Sequence, residues 1–427
     1  MAWPRKRLYW IAGTIVATMI ATLVVLNLIP AEKRIEHRVE RRYDTGSADY
    51  YRSLGVLLGP PVISGNRIHA LQNGDEIFPS MLAAIRGAKR TINFESYIYW
   101  SGEIGQAFAD ALAERAKAGV QVHVLLDWLG SQKIKEEMLD EMRDAGVQIY
   151  LFHPLSWYDV ARVNNRTHRK LLIVDGRVGF TGGVGIADKW QGHAQDAEHW
   201  RDSHYRAEGP VVAQMQATFI DNWTKVSGHV LHGPDYLPVI EPVADAQAQM
   251  FSSSPQGGAE SMQLMYLLVI AAATKTIDLA SAYFIPDELT SDALVAAMQR
   301  GVRLRLIVPG PIIDTDFVRR AGRSTWGPLL AAGAQVYEYQ PTMYHCKVMI
   351  VDGLLVSVGS TNFDPRSFRL NDEANLNVYD RAFAAAQERV FEQDVARSKR
   401  VTLADWEGRP WHEKLMEHAA ALLHTQL

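Results

Sequence analysis

Two histidines and two lysines occur in this chain in a spacing that is repeated. His168, Lys170 and Asp175 spell His-x-Lys-x4-Asp, and His345, Lys347 and Asp352 spell it again 177 residues later. Such a set suits the chemistry of a phosphodiester. That group is anionic and resists attack, so a catalyst without a metal must neutralise its oxygens, supply a nucleophile and protonate the leaving group. One histidine can attack phosphorus while the other moves the proton, because an unperturbed imidazole titrates near neutrality. The lysines can hold positive charge at the phosphate oxygens. A lone His-x-Lys pair would carry little weight, but two copies with aspartate at the same offset are not a chance arrangement.

The residues between the charged positions must place them. Leu171-Leu172-Ile173-Val174 and Val348-Met349-Ile350-Val351 read as buried strands. Alternate side chains on a strand share a face, so His345 and Lys347 point one way and Cys346 the other, and the same parity sets His168 beside Lys170. Cys346, the only cysteine, is therefore read as a small buried filler, and no intrachain disulfide can form. Each motif runs into a turn of small residues, Gly182-Gly183-Val184-Gly185 in the first copy and Gly359-Ser360-Thr361-Asn362 in the second. Asp175 and Asp352 precede glycine at strand ends, where turn capping fits them better than direct catalysis.

These residues carry a resemblance. The chain resembles the phospholipase D superfamily, whose signature is a duplicated His-x-Lys-x4-Asp followed by Gly-[Gly/Ser]-x-Asn. Within that superfamily it is most similar to bacterial cardiolipin synthases, through Thr181 to Asp188, through Trp200-Arg201-Asp202-Ser203-His204, and through Gly359 to Phe368 with Asn371 and Glu373. The similarity spans roughly residues 60 to 400. It implies a catalytic set of His168, Lys170, Asp175, His345, Lys347 and Asp352, with His168 as nucleophile, His345 as general acid and base, and the lysines on phosphate. It also implies substrate contacts from Asn362, Gly183 and Ser360. The first motif departs from the pattern, carrying Gly185 where the second has Asn362, which leaves a backbone N–H to replace a side-chain contact. Asp202 and Glu373, 34 residues after His168 and 28 after His345, stand where the family keeps carboxylates that orient the histidines. Which serves which histidine is open at this point.

The activity implied is membrane-anchored phosphatidyl transfer through a phosphohistidine, making cardiolipin from phosphatidylglycerol or another phospholipid donor. Phospholipase D hydrolysis to phosphatidic acid uses the same intermediate with water as acceptor and is the alternative. A nuclease or phosphodiesterase is the weaker one, because a net charge of −4 and a pI near 6.4 give no global pull towards nucleic acid. The expected partners are phospholipids (phosphatidylglycerol and cardiolipin) and the bilayer itself, with no nucleic acid and no obligate protein partner. No cofactor is implied, and no metal site is indicated by cysteine pairs or a His-Glu-x-x-His run.

The 427 residues, 48% hydrophobic and 22% charged, describe a well-packed globular protein with room for two lobes. From Leu8 to Ile29 there is no charge, only three threonines, Gly13 and Asn27 among apolar residues, about the length of a bilayer-crossing helix. No convincing cleavage site follows, so residues 8–30 are expected to be an uncleaved single-pass anchor in a bacterial inner membrane. Basic residues flank both ends and lean towards a cytoplasmic C-terminal body. A charged helical linker is expected over 31–60.

The rest repeats one α/β rhythm: helix, glycine stop, apolar strand. Gly119 precedes Val120-Gln121-Val122 as Gly301 precedes Val302-Arg303-Leu304, and Gly146-Val147-Gln148-Ile149-Tyr150 matches Gly333-Ala334-Gln335-Val336-Tyr337. Two similar α/β lobes are therefore expected, over 61–235 and 245–410, each a mixed sheet sandwiched by helices as in a phospholipase D-like duplication. The segment Leu155 to Val160, with Trp157 and Tyr158, reads either as core or as an apolar lip that lets acyl chains reach the site.

Overall fold

The computed structural model describes residues 5–28, 35, 37–154, 164–255 and 262–421. The segment Leu155 to Val160 lies outside them. The rhythm seen in the sequence folds into a mixed sheet, and each half builds its part in the same order. In the first half Gln148–Phe152, Gln121–Asp127 and Thr91–Ser96 run parallel. Leu171–Val174, Val178–Gly182, Ser203–Glu208 and Ile63–Gln72 then continue antiparallel. In the second half Gln335–Tyr339, Arg303–Pro309 and Thr276–Ser281 are parallel. Lys347–Val351, Leu355–Gly359, Asn371–Tyr379 and Ala246–Ser253 complete the antiparallel side.

The two sheets are not separate. Ile63–Gln72 and Ala246–Ser253 pair antiparallel with an irregular register, so the halves join edge to edge into one sheet, of 16 strands among the described residues. Each innermost strand would otherwise be an edge of unpaired N–H and C=O groups, and the other half satisfies it.

Helices cover both faces. Asn73–Gly87, Glu103–Lys117 and Glu136–Asp144 bury one apolar cluster in the first half, while Met262–Ala272 and Glu288–Gln299 bury another in the second. Met262–Ala272 is buried on every side, as its nearly unbroken apolar sequence demands. On the opposite face a third cluster runs across both halves, with Met215, Phe219 and Trp223 from Val211–Ser227 and Phe391 from Arg381–Ala396 packing over strands of each. The helix stops at Gly119 and Gly301 adopt φ of 88° and 95°, a region that costs a residue with a Cβ.

At the N-terminus Arg5–Leu28 is one helix, with Tyr9, Trp10, Ile15 and Met19 exposed along it. Among the described residues no helix is long and apolar enough to cross a membrane. Among the described residues of the charged linker the helix is Ala48–Leu57, where Ser47 caps it by accepting from the Tyr50 N–H. Before it, Ile35, Val39 and Tyr43 recur at helical spacing but lie against the second-half core, so tertiary packing overrides local preference.

Asp175 and Asp352 close the hairpins that follow the two His-x-Lys segments, in left-handed conformation with φ of 52° and 55°. Asp175 accepts from the N–H groups of Lys89, Arg90 and Thr91. Asp352 accepts from the N–H groups of Thr274, Lys275 and Thr276, and from the hydroxyls of Thr274 and Thr45. Burial alone would raise the Asp352 carboxyl, but the backbone donors outweigh it and hold it below the usual carboxylate range. Replacing Asp352 with Ala leaves those donors without their acceptor and is expected to cost about 1–3 kcal/mol. A thermal melt reads this as a lower midpoint, and an unchanged midpoint would dismiss the capping role.

Candidate active site

The His-x-Lys segments reach the site just before their strands begin, and there each pairs with the other half of the chain. Arg166 and Thr167 run parallel to Asn371 and Asp372, and the His168 N–H donates to the Asp372 carbonyl at 2.9 Å. In the mirror arrangement Arg201 bridges to Tyr344, and the His345 N–H donates to the Arg201 carbonyl at 2.8 Å. The residue next to each acceptor is a carboxylate. Glu373 therefore meets the imidazole of His168, with Nδ1 3.0 Å from either carboxylate oxygen, and Asp202 meets His345, with Nδ1 2.7 Å from Oδ2. The assignment is crossed: each half's carboxylate serves the other half's histidine.

Further donors fix the carboxylates. Asp202 accepts from the Trp190 indole at 3.0 Å and from the Ser203 N–H at 2.8 Å, while Glu373 accepts from the Ser360 hydroxyl and from Asn371 at 3.3 Å. Arg201 anchors the crossing segment by a two-pronged pair with buried Asp394, at 3.1 and 3.0 Å.

His168 and His345 line one cavity of about 740 Å³, with Lys170, Asn362, Arg166 and Arg366 also in its wall. Lys347 lies behind the wall, its ammonium donating to the His345 carbonyl at 2.6 Å, as Lys170 donates to the His168 carbonyl at 2.7 Å. The Asn362 side-chain oxygen is buried without a hydrogen-bond partner among the described residues.

Gly183 and Ser360, expected among the substrate contacts, are not in the cavity wall. A side chain at 183 would strike the Asp202 carboxylate at 2.2 Å, and the Ser360 hydroxyl is spent on Glu373, so both residues serve the orienting carboxylates. Gly185 has no room for an asparagine, since a Cβ there would meet Ile98 at 2.8 Å and Trp190 at 3.2 Å. Asp175 and Asp352 cap their hairpins outside the wall. Cys346 is buried on the far side of its strand, and burial pushes its thiol up to about 12.

Three aromatic residues of the wall had no role in the sequence reading. Tyr97 packs edge-on to His168 at 5.1 Å, and Trp190 and Trp200 pack against His345 at 5.4 and 5.5 Å. Tyr97 follows the parallel strand Thr91–Ser96, and the carboxyl ends of parallel strands are where α/β sheets place ligands. That rule was the signal that could have found it.

Electrostatics set the resting protonation. Burial holds His168 down at about 4 against the pull of Glu373, so its ring is neutral, with Nδ1–H donating to Glu373 and Nε2 left unprotonated. Burial works against the Glu373 carboxylate, but His168 and Lys170 keep it ionised, at about 2. Burial, aided by Lys347, also lowers His345. Burial brings Lys170 down to about 7. Two buried amines and two neutral rings form a cavity that gains charge when an anion enters, which suits a phosphodiester.

Such a crossed, duplicated histidine site defines an enzyme of phosphodiester chemistry. A family profile described as "Cardiolipin synthase, PLD-like domain" matches residues 81–223 and 266–395. The major cardiolipin synthase ClsA of Bacillus subtilis is 35% identical over 361 residues, covering 84% of this chain and 75% of that protein. The cardiolipin synthase of Geobacillus kaustophilus is 35% identical over 370 residues, covering 86% and 74%. Among solved structures, a phosphatidylserine synthase of Haemophilus influenzae shares the fold at a TM-score of 0.67 and 15% identity, covering 89% of this chain and all of that one. The chain belongs to the cardiolipin synthase family of the phospholipase D superfamily, and it is a phosphatidyltransferase.

The Lys170 shift sets a pH dependence. The lysine is charged below about 7 and neutral above it in the free enzyme, and only a charged lysine would attract an anion. Thus kcat/KM for phosphatidylglycerol should fall as pH rises through that value, and Lys170→Arg, which keeps its proton, should move the fall upward. A pH profile with the same alkaline limb in both proteins would remove Lys170 from phosphate binding.

Proposed function

We propose that the protein joins two phosphatidylglycerol molecules into cardiolipin and releases glycerol, through a phosphohistidine on His168. The observation that carries this reading is the pair of crossed histidine–carboxylate contacts opening on one cavity. His168 Nε2 attacks phosphorus as the bond to the glycerol oxygen breaks, and His345, which takes up a proton as the anionic phosphate enters, gives that proton to the departing oxygen. The second phosphatidylglycerol then brings its glycerol hydroxyl. His345 takes the hydroxyl proton, the oxygen bonds to phosphorus and the bond to His168 breaks. Lys170 and Asn362 hold the phosphate oxygens, Lys347 adds its charge from behind the wall, and Glu373 and Asp202 orient the two rings for their steps.

In phosphatidylglycerol vesicles the purified enzyme should form cardiolipin and glycerol, with phosphatidic acid minor. His168→Ala and His345→Ala should each lower turnover by about 100-fold or more. Acid quenching during turnover should trap a phosphatidyl group on the enzyme that is absent from His168→Ala. Near-normal turnover in either variant would reject the composite site, and phosphatidic acid as main product would reject the transferase in favour of hydrolysis.

In this reading residues 61–235 and 245–410 are the two lobes, and Leu8 to Ile29 is the single-pass anchor in a bacterial inner membrane. The uncharged run of bilayer length supports the anchor, as do the apolar side chains exposed along its helix. Deleting residues 1–30 should shift the protein from the integral to the alkali-extractable membrane fraction. Unchanged resistance to alkaline extraction would rule the anchor out.

A further inference from the structure

The last described helix, Trp411–Ala421, is folded inside out. It turns its charge inward: Glu417 is buried against Arg409 at 3.2 Å and Arg323 at 3.6 Å, and Glu413 leans on Arg323 at 3.9 Å. It turns its apolar residues outward, with Trp411 76% exposed, Leu415 63% and Met416 43%. A surface helix of a water-facing protein does the reverse. Inverting the pattern puts a tryptophan and two aliphatic side chains in water, which is stabilising only if something apolar meets them.

The helix also sits at the rim of the active-site cavity. Ala420 packs in one small cluster with Val318, Ala321 and Ile285. Val318 belongs to the helix Asp316–Ser324 and is part of the cavity wall, and Phe317 beside it is exposed. Arg320 reaches the Met416 sulfur at 3.6 Å, tying the outward face to the same rim element.

We infer that Trp411–Ala421 docks on the surface of an anionic phospholipid bilayer and seats the mouth of the cavity there. Three features select a bilayer. Tryptophan with aliphatic neighbours on a short helix lying flat is the composition of an interfacial helix. Both glutamates of the helix lean on arginines, which leaves Lys414 as its charged residue without an opposite side-chain charge among the described residues. That sign of charge complements anionic headgroups. Finally, the cavity beside it receives a phospholipid, whose acyl chains need not leave the membrane if the rim rests on it. The inference rests on that reading of the substrate.

The test uses the full chain with Leu415→Cys labelled by a thiol-reactive fluorophore, since native Cys346 is buried and takes no label. The protein is reconstituted, one copy per disc, in bilayers of phosphatidylglycerol with and without bromine on the acyl chains. Bromine is expected to quench the probe by about twofold or more. Zwitterionic phosphatidylcholine should give less quenching. No quenching by brominated lipid would overturn the proposal, and so would shielding that appears only with two copies per disc, which would make the face a contact between chains. A second arm measures rates: the triple variant Trp411→Ala, Leu415→Ser, Met416→Ser should raise the apparent KM for bilayer phosphatidylglycerol about tenfold and leave kcat on detergent-dispersed lipid unchanged. An unaltered KM would count against docking. The two readings fail separately: a quenched probe without cardiolipin would refute the chemistry, and cardiolipin with an unquenched probe would refute the docking.

Discussion

Everything in this site depends on an exchange between the halves, in which each histidine receives its carboxylate from the other half. The exchange is built into backbone geometry before any side chain is considered. The N–H of His168 goes to Asp372 and the N–H of His345 goes to Arg201, so each motif segment is hydrogen-bonded to the stretch that carries the opposite carboxylate. The edge pairing of Ile63–Gln72 with Ala246–Ser253 and the apolar cluster that spans both sheets keep the two stretches in register. Arg201 and Asp394 lock the same crossing with a buried pair, and breaking such a pair on one side typically costs about 3–5 kcal/mol. Stability and catalysis thus share the same few contacts.

Burial then does the chemical tuning. Histidines in water would be partly protonated at neutral pH, and a protonated ring cannot act as a nucleophile. Burial keeps the ring neutral against the pull of the crossed carboxylate, and the contacts with Tyr97 and Glu373 keep it aimed. The lysines are held in a place where their charge is costly, fastened to the carbonyls of their own motif histidines. An anion placed beside them would offset that cost, which favours binding of a phosphate.

Much of this was legible in the sequence because it is spelled locally. The motif duplication, the strand parity that turns Cys346 away, and the glycine-stopped helices each involve residues a few positions apart, where periodicity speaks directly. The crossing was not legible: Glu373 lies nearest in sequence to His345, yet it serves His168 across 205 positions. Local spacing carries no record of a swap between lobes. Gly183 and Ser360 misled for a related reason. The motif resemblance places them at the phosphate turn, but the turn's inner side faces the carboxylates, which only the fold reveals. The linker failed differently, since Ile35, Val39 and Tyr43 keep a helical period while serving a surface they reach without a helix.

The duplication is therefore more than a repeat of one catalytic unit. A single half has a histidine and a lysine but no carboxylate for that histidine, because its own carboxylate points at the other half's ring. If the halves had once worked as identical copies, they had to do so as a pair around the same two-fold arrangement. Joining them in one chain allows the symmetry to break. The second half keeps Asn362 at the cavity with a side-chain oxygen unpartnered among the described residues, while the first fills the matching place with Gly185 packed under Trp190. Glu373 is supported by a serine and an asparagine, Asp202 by an indole and a backbone N–H. Two histidines with the same motif thereby sit in different surroundings, which is the condition for giving one the nucleophile's task and the other the proton's.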